Sequence, residues 1–410
     1  MHLMYFTEQP MSAYPEHEAR GGVGAFLTFS NKHFDPVAAS RLYRERLEEY
    51  VYAEEMGVDG IMLNEHHNTP FCMQAKINIF AATLAGMTKR VKLVLLGNPL
   101  PINDNPVRLA EELAMIDLVS QGRLVSGFVR GGGMESLATN ANPAYNRERF
   151  QEAHDVVIKA WTESGPFRWE GVHYDLRLVN PWVVPLQRPH PRVWVPGISS
   201  KETIVWAAEH RYPYIALNTT MEATRAIWKI YDDAALRVGY ASGPEQRGYL
   251  VKCHVAETEE KALRNAREFM WLTGDFTGGA PPQFTAPSGY LGPWARKDVA
   301  RQHATGATAR PPSFEDQLAQ MTIIAGTPRQ VIQKLRVLVE QMRPSILAFW
   351  ANDGKMNHED SMTCIRLLGQ EVMPAVREFG KELGLADPFE INTPVSLAAT
   401  PKAELHPVTA

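Results

Sequence analysis

Residues 61–67 read Ile-Met-Leu-Asn-Glu-His-His and pass from three apolar residues directly into a carboxylate and two imidazoles. Such a run predicts a buried strand that delivers titratable groups to a site at its end. Adjacent strand residues point to opposite faces, so only one of His66 and His67 can face a given pocket. Histidine changes charge near neutral pH, which suits an acid or base. The alternative is a histidine pair in a surface loop.

The same alternation of apolar strands and amphipathic helices continues on both sides of this stretch. We predict strands near residues 2–7, 58–64, 91–96, 124–129, 192–197, 213–218, 248–256 and 345–351. We predict helices near residues 39–56, 74–88, 106–120, 147–162, 201–210, 221–238, 258–272 and 328–342. Eight strand–helix units predict an α/β fold, a (β/α)8 TIM barrel with insertions. A doubly wound open sheet would need a glycine-rich turn after its first strand, which is missing after Phe6.

The chain is expected to form one barrel domain over residues 1–386, followed by a C-terminal tail at residues 387–410. Two long segments rich in glycine and proline, 9–38 and 273–313, are predicted insertions, and loops of this length usually have a function or are disordered. The second insertion carries aromatic residues that favour an active-site lid; they are Phe276, Phe284, Tyr290 and Trp294.

The bulk composition is that of an ordinary enzyme, with 45% hydrophobic and 21% charged residues and a net charge of −4. This balance indicates neither nucleic acid nor an anionic membrane as a partner. The three cysteines of the chain are widely spaced and predict neither a disulfide framework nor a thiolate metal site; they are Cys72, Cys253 and Cys364. The N-terminal residues lack the pattern of a signal peptide, and no apolar run is long enough for a membrane helix. We therefore expect a cytoplasmic protein.

Further candidate site residues follow the predicted third, fourth and fifth strands. Gly97 follows the third strand, Arg130 and three glycines follow the fourth, and residues 199–203 follow the fifth as Ser-Ser-Lys-Glu-Thr. The C-terminal ends of barrel strands meet at one face, so these groups should converge. Hydroxyls and free amides at a helix start can form an anion cup for a phosphate. Taken singly, each could instead be a turn, a helix cap or a solvated charge.

Several runs resemble the bacterial luciferase family of flavin-dependent monooxygenases, and best resemble its catalytic (alpha) subunit. The similarity covers most of residues 1–378 in order. The matching runs are Glu65-His66-His67, 106–111 (Pro-Val-Arg-Leu-Ala-Glu), 117–123 (Asp-Leu-Val-Ser-Gln-Gly-Arg), 127–131 (Gly-Phe-Val-Arg-Gly), 206–209 (Trp-Ala-Ala-Glu), 325–328 (Ala-Gly-Thr-Pro), 349–352 (Phe-Trp-Ala-Asn) and 371–374 (Glu-Val-Met-Pro).

The resemblance implies a barrel that binds reduced FMN, with O2 adding at flavin C4a. It implies that His66 is the catalytic histidine, with Glu65 and His67 beside it in the matching run. The implied cofactor-binding residues are Leu96 and Gly97, which would form a non-prolyl cis peptide under the flavin, Arg130, Gly131, Arg147 (Arg149 is the alternative), Ser199 in place of an acidic residue, Ser200 and Thr203.

The sequence departs from luciferase beside the flavin. Val129 stands where luciferase has its reactive cysteine, and Gly133 stands where it has a tyrosine. These departures argue against assuming aldehyde-dependent light emission, but not against oxygenation. Phe71, Trp294 and Trp350 suggest an apolar or aromatic substrate, although such side chains also serve as plain core.

The first functional hypothesis is a two-component monooxygenase that receives reduced FMN from a separate flavin reductase and keeps water from the reacting flavin. Hydroxylation, Baeyer–Villiger insertion and C–N cleavage all remain open. The alternatives are an F420-dependent hydride-transfer enzyme on the same barrel and a non-catalytic barrel subunit. A metal hydrolase built on the two histidines is disfavoured, because adjacent strand residues diverge. The family likeness also implies a dimer packed through helices near the second and third strands, expected here to be a homodimer.

Overall fold

Eight parallel strands close into a barrel, which confirms the predicted (β/α)8 fold. The computed structural model describes residues 1–20, 25–271, 284, 286–292 and 312–390. The strands are β1 His2–Thr7, β2 Gly60–Leu63, β3 Lys92–Pro99, β4 Leu124–Val129, β5 Phe167–Glu170, β6 Asp175–Val179, β7 Arg192–Gly197, β8 Tyr214–Leu217, β9 Arg247–Val255, β10 Ile323–Gly326 and β11 Ile346–Asn352. The order of the barrel strands is β1-β2-β3-β4-β7-β8-β9-β11, and β11 pairs with β1 to close the barrel.

Successive residues of a barrel strand face two different cores. In β1, Met4 and Phe6 belong to the barrel interior, whereas Leu3 and Tyr5 pack among the residues of the surrounding helices. Strands buried on both faces read as continuous apolar runs rather than as alternating patterns. This explains why the eight barrel strands were predictable from apolar runs alone.

Helices surround the barrel, and their starts carry recognisable caps. The Asp35 carboxylate accepts hydrogen bonds from the backbone amides of Val37 and Ala38 at the start of α3. The helices are α1 Glu16–Arg20, α2 Ala25–Thr28, α3 Pro36–Glu55, α4 Ile77–Met87, α5 Pro106–Val119, α6 Gly133–Ala138, α7 Asn146–Thr162, α8 Lys201–Glu209, α9 Met221–Arg237, α10 Glu259–Ala266, α11 Phe314–Ala319, α12 Pro328–Met342, α13 His358–Leu367 and α14 Met373–Glu382. None of these described helices has the length and apolar character needed to cross a bilayer.

Three short strands lie outside the barrel and were not predicted. β5 and β6 form an antiparallel hairpin, and β10 adds to the C-terminal half of β9. Both hairpin strands are largely exposed and only four or five residues long, so no apolar run marks them. β10 is a short apolar run of four residues, and such a run cannot be distinguished from a buried helical segment by periodicity alone.

The start of the predicted tail packs under the barrel. The centroid of the Phe389 ring lies 4.8 Å from that of the His2 ring and 5.8 Å from that of the Trp194 ring. The Arg192 guanidinium lies 4.4 Å from the centre of the Phe389 ring. Arg192 Nη1 also donates a hydrogen bond to the carbonyl of Pro388 at 2.8 Å. The packed part of the chain therefore continues past residue 386 to residue 390, and residues 391–410 lie outside the described residues.

Candidate active site

A cavity of about 1000 Å³ opens at the C-terminal ends of the barrel strands. This volume is at the upper end of the ~300–1,000 Å³ range of ligand pockets. Most of the predicted site residues line it: Glu65, His66, Phe71, Leu96, Gly97, Arg130, Gly131, Arg147, Ser199, Ser200, Thr203 and Trp350. His67 does not line the cavity, and both histidines lie beyond Leu63, the last residue of β2, so strand alternation does not set their directions. Trp294 and Phe276 lie outside the described residues, as does most of the predicted lid at 273–313.

The floor of the cavity is apolar, and the backbones of two neighbouring strands approach each other closely there. The Leu96–Gly97 peptide bond is cis, as the resemblance implied. A Cβ atom on Gly97 would lie only 2.7 Å from the carbonyl oxygen of Gly127 on the neighbouring strand, so glycine is required for this approach. Phe6, Met62 and Trp350 rise from the barrel interior to line the same cavity. A flat ring system could lie against this surface.

Both histidines of the predicted motif bind a single carboxylate on α6. His66 Nδ1 lies 2.9 Å from Glu135 Oε1, and His67 Nδ1 lies 2.6 Å from Glu135 Oε2. The Glu135 side chain is buried. Burial alone would raise the pKa of Glu135, but the hydrogen bonds from His66 and His67 outweigh it and lower this pKa to about 2. Glu135 is therefore a permanent anion that orients both imidazoles.

The ion pairs raise the affinity of both histidines for a proton. Burial disfavours the imidazolium form of His67, but the hydrogen bonds to Glu135 and Glu65 dominate and raise its pKa to about 9. Burial also disfavours the imidazolium form of His66. The hydrogen bond to Glu135 and the nearby charge of Glu8 outweigh burial and raise the pKa of His66 as well. Since His66 lines the cavity and His67 does not, His66 is the imidazole placed to exchange a proton with a bound molecule.

Glu65 anchors this network to the start of α4. Its carboxylate accepts a hydrogen bond from the backbone amide of Ile77 at 2.9 Å and lies 3.2 Å from Lys76 Nζ. Its other contact is His67 Nε2 at 3.1 Å. A carboxylate at a helix N-terminus is stabilised by the amides and by the helix dipole. Glu65 thus fixes His67, which places it in a supporting position, whereas His66 faces the cavity.

The residues of the predicted anion cup lie together where α8 begins. Ser200 is the N-cap residue of α8, and its hydroxyl lies 3.4 Å from Arg147 Nη2 and 3.1 Å from the Thr203 hydroxyl. Burial lowers the pKa of the Arg147 guanidinium, and the charge of Arg130 lowers it further. Two neighbouring cations, two hydroxyls and a helix N-terminus make a site suited to a phosphate group.

The sequence left Arg147 and Arg149 as alternative candidates for binding the cofactor, and the structure gives these two residues different contacts. Arg147 reaches Ser200 and lines the cavity. Arg149 instead donates to the backbone carbonyls of Pro101 at 2.8 Å and Asn103 at 3.1 Å. Its guanidinium also lies over the Tyr174 ring. The geometry therefore favours Arg147 as the cation of the cup and gives Arg149 a structural role.

The cup already contains a carboxylate and is partly covered. Glu202 Oε2 lies 3.7 Å from Arg147 Nη2 and 3.3 Å from the Ser200 hydroxyl. Tyr290, in the short described part of the predicted lid, places its ring 4.8 Å from the Arg130 guanidinium and donates its hydroxyl to the carbonyl of Gly131 at 2.6 Å. A phosphate entering the cup would thus compete with Glu202 for Arg147.

Sequence reasoning missed four charged residues of this site: Glu8, Glu135, Lys201 and Glu202. Glu135 is 69 positions from His66 along the chain, and no local pattern connects the two residues. Lys201 and Glu202 stood inside the predicted Ser-Ser-x-x-Thr run and were passed over as spacers. Glu8 directly follows β1, just as Glu65 lies shortly after β2. Its position after a strand end was a signal that could have identified it.

The chain is similar to known proteins along most of its length. The family model described as luciferase-like monooxygenase matches residues 23–343. The oxygenase component of flavin-dependent trigonelline monooxygenase from Acinetobacter baylyi is 24% identical over 349 residues, covering 84% of this chain and 92% of the relative. The alkanal monooxygenase alpha chain of Photobacterium leiognathi is 23% identical over 361 residues, covering 86% and 99%.

Solved structures share the fold. The monooxygenase RslO1 from Streptomyces bottropensis superposes with a TM-score of 0.67 at 23% identity, covering 92% of this chain and all of the other. The FMN complex of the oxygenating component of 3,6-diketocamphane monooxygenase from Pseudomonas putida gives 0.62 at 20%, covering 82% and 94%. An F420-dependent secondary alcohol dehydrogenase gives 0.62 at 15%, covering 92% and 99%. With the family model spanning most of the chain, the resemblance seen in the sequence is confirmed: this protein is a monooxygenase of the luciferase-like family.

Proposed function

We propose that this chain is the oxygenase component of a two-component, reduced-FMN-dependent monooxygenase that inserts one oxygen atom of O2 into a small apolar or aromatic substrate. The observation that carries the proposal is the placement of the Arg130–Arg147 cup and the His66–Glu135 pair on the walls of one cavity. The cup suits the FMN phosphate, and the glycine-lined floor at Gly97 suits the flat ring system.

Reduced FMN, when bound, supplies the electrons that activate O2. The chain itself binds and orients the cofactor and the substrate, and it excludes water from the cavity. Arg147, Ser200 and Thr203 would hold the phosphate, and Phe6, Phe71 and Trp350 would present apolar surface to the substrate. His66, held by Glu135, would exchange protons at Nε2 on the cavity side. A separate flavin reductase is the proposed source of reduced FMN, and a cytoplasmic location fits such a supply.

A homodimer is part of the proposal. Helices α4 and α5, which follow the second and third strands, expose large apolar side chains on the outer surface of the barrel; these are Ile79, Met87, Met115, Leu118 and Val119. Clustered exposed apolar residues on adjacent helices are typical of a protein interface. A second copy of this chain is the proposed occupant of this surface.

Anaerobic titration with reduced FMN, followed by rapid mixing with oxygenated buffer, tests the proposed function. We expect saturable binding and a transient absorbance that differs from those of reduced and oxidised FMN. The His66→Ala variant should bind reduced FMN normally but lose coupled product formation. Failure to bind reduced FMN, with binding of F420 instead, would favour the hydride-transfer alternative.

A further inference from the structure

A buried polar cluster borders the cavity, and its members lie on three neighbouring strands or directly after them. Glu8 follows β1, Lys252 lies on β9 and Asp353 follows β11, and β11 pairs with both β1 and β9. The three residues are 7%, 3% and 0% exposed. Ionisable side chains are almost never this deeply buried without a partner or a purpose. The chemistry assigned above to His66 and Glu135 makes no use of this cluster.

Glu8 connects the cluster to the active site. It lines the cavity, and its Oε2 atom lies 4.0 Å from His66 Nε2. The Asn64 side-chain amide donates a hydrogen bond to the same oxygen. His66 therefore lies between two carboxyl groups, with Glu135 on Nδ1 and Glu8 facing Nε2. An imidazole between two carboxyl groups is positioned to move a proton from one side to the other.

The charges behind Glu8 do not balance if every group is ionised. Lys252 Nζ donates to the carbonyl of Phe269 at 3.2 Å and lies 4.8 Å from the Trp350 ring centre. Asp353 Oδ1 accepts from the amide of Gly354, but its buried Oδ2 has no hydrogen-bond partner among the described residues. One ammonium cannot compensate two buried carboxylates, and a buried uncompensated charge is costly. At least one of the two carboxyl groups should therefore hold a proton whenever His66 is neutral.

We propose that Glu8 is a proton-exchanging residue of the active site that shares a proton with His66, and that Lys252 and Asp353 are positioning residues that set when Glu8 holds it. In the exchange, the O–H bond of the Glu8 carboxyl breaks and leaves its electron pair on the carboxylate. A new N–H bond forms at Nε2 of neutral His66, and Glu135 stabilises the imidazolium. The exchange requires a small rotation or one bridging water to close the 4.0 Å gap between Glu8 Oε2 and His66 Nε2. The catalytic use of this exchange rests on the function proposed above.

The surroundings of Glu8 favour a shared proton. Burial raises the pKa of Glu8 to about 7 against the opposing effects of the His66 charge, the Asn64 hydrogen bond and the Lys252 charge. Burial raises the pKa of Asp353 to about 8, and it lowers the pKa of Lys252. The titratable groups that face this cluster from the neighbouring elements are His66, Cys72, Lys252, Asp353 and, behind Asp353, Glu268.

NMR titration of histidine-labelled protein without cofactor tests the exchange directly. The His66 signal, assigned by its loss in His66→Gln, should show its own titration and a second inflection from Glu8. In Glu8→Gln the second inflection should vanish, and the His66 pKa should fall because a nearby carboxylate is gone. In Lys252→Met the Glu8 inflection should move to higher pH, by roughly half a unit or more, since a cation that favours the carboxylate is removed.

Glu112→Gln, on the outer helix α5, is the matched control and should leave the His66 curve unchanged. A His66 curve that is identical in folded Glu8→Gln and in the parent protein overturns the proposal. With reduced FMN at saturation, Glu8→Gln should also lose one ionisation from the pH profile of coupled oxygenation. An unchanged profile overturns the catalytic role, whereas absence of FMN binding overturns the proposed function and leaves the NMR result standing.

Discussion

His66 and Glu135 form the central pair of the site, with Nδ1 of the imidazole 2.9 Å from Oε1 of a carboxylate that is 69 positions away in the chain. The same carboxylate binds His67 through its other oxygen at 2.6 Å. One side chain on α6 therefore determines the orientation and the proton affinity of both histidines at the end of the second strand. This arrangement makes Glu135 as important to the proposed chemistry as His66 itself.

Replacing Glu135 with glutamine should lower the pKa of His66, because a charge-assisted bond becomes a neutral one. Hydrogen bonds to charged groups contribute about 1.5–3 kcal/mol, so coupled product formation should fall roughly 10- to 100-fold. Single-turnover oxidation of reduced FMN with substrate measures the loss. Ser136→Ala, which removes a neighbouring buried hydroxyl that makes no hydrogen bond to any described residue, is the control and should retain activity. Equal coupling in Glu135→Gln and Ser136→Ala would contradict this role.

The His67 ion pairs should make stability depend on pH in the alkaline range. The pKa of His67 is raised from an ordinary value of 6.5 to about 9, so the folded state favours the imidazolium. The resulting stabilisation is complete below pH 6.5 and is lost as the pH rises through 9. Urea unfolding of the parent protein and His67→Gln should show a difference in unfolding free energy that shrinks over this range. A difference that stays constant with pH would show that His67 acts through packing alone.

Arg147 and Arg149 should give opposite results. Arg147→Ala should weaken binding of reduced FMN by about 1–3 kcal/mol, the scale of a charge-assisted contact, and should leave the affinity for riboflavin, which has no phosphate, little changed. Arg149→Ala should instead lower thermal stability, because the carbonyls of Pro101 and Asn103 lose their donor. Anaerobic fluorescence titration and thermal unfolding measure the two effects. Loss of FMN affinity in Arg149→Ala alone would place the phosphate elsewhere.

Removing the negative charge of Glu202 should tighten FMN binding. Its Oε2 atom lies 3.7 Å from Arg147, so a phosphate must compete with it for the cation and is repelled by it. Glu202→Gln keeps the shape but removes the repulsion, and the ratio of FMN to riboflavin affinity should rise severalfold, more at low salt than at high salt. Parallel titrations with both flavins at two ionic strengths measure the ratio. A lower ratio would mean that Glu202 organises the cup rather than competing for it.

The exposed apolar surface of α4 and α5 should hold two copies of the chain together. Met115→Glu, in the middle of this surface, should convert the dimer to a monomer, because a buried unpaired charge is costly. Light scattering after size-exclusion chromatography measures the mass. Val172→Glu is the matched control, since Val172 is 87% exposed on the β5–β6 hairpin, and it should leave the mass unchanged. A Met115→Glu variant that remains dimeric would locate the contact on another face.

The sequence by itself determined the barrel and the ends of its strands. The apolar runs are local, each is buried on both faces, and the residue type that ends each run is visible without any tertiary information. The candidates Glu65, His66, Gly97, Arg130 and the Ser200 region were chosen in this way, and all of them line the cavity. The predicted positions of all eight barrel strands agree with the structure to within a few residues.

Only the tertiary structure decided which of these groups meet. Glu135 reaches His66 across 69 positions, and Glu8, Lys252 and Asp353 come together because β1, β9 and β11 are neighbours in the closed barrel. The choice of Arg147 over Arg149 depends on the rotation of α7 about its axis, which is set by packing. Contacts of this kind arise from barrel closure and helix orientation, and no local pattern of residues encodes them.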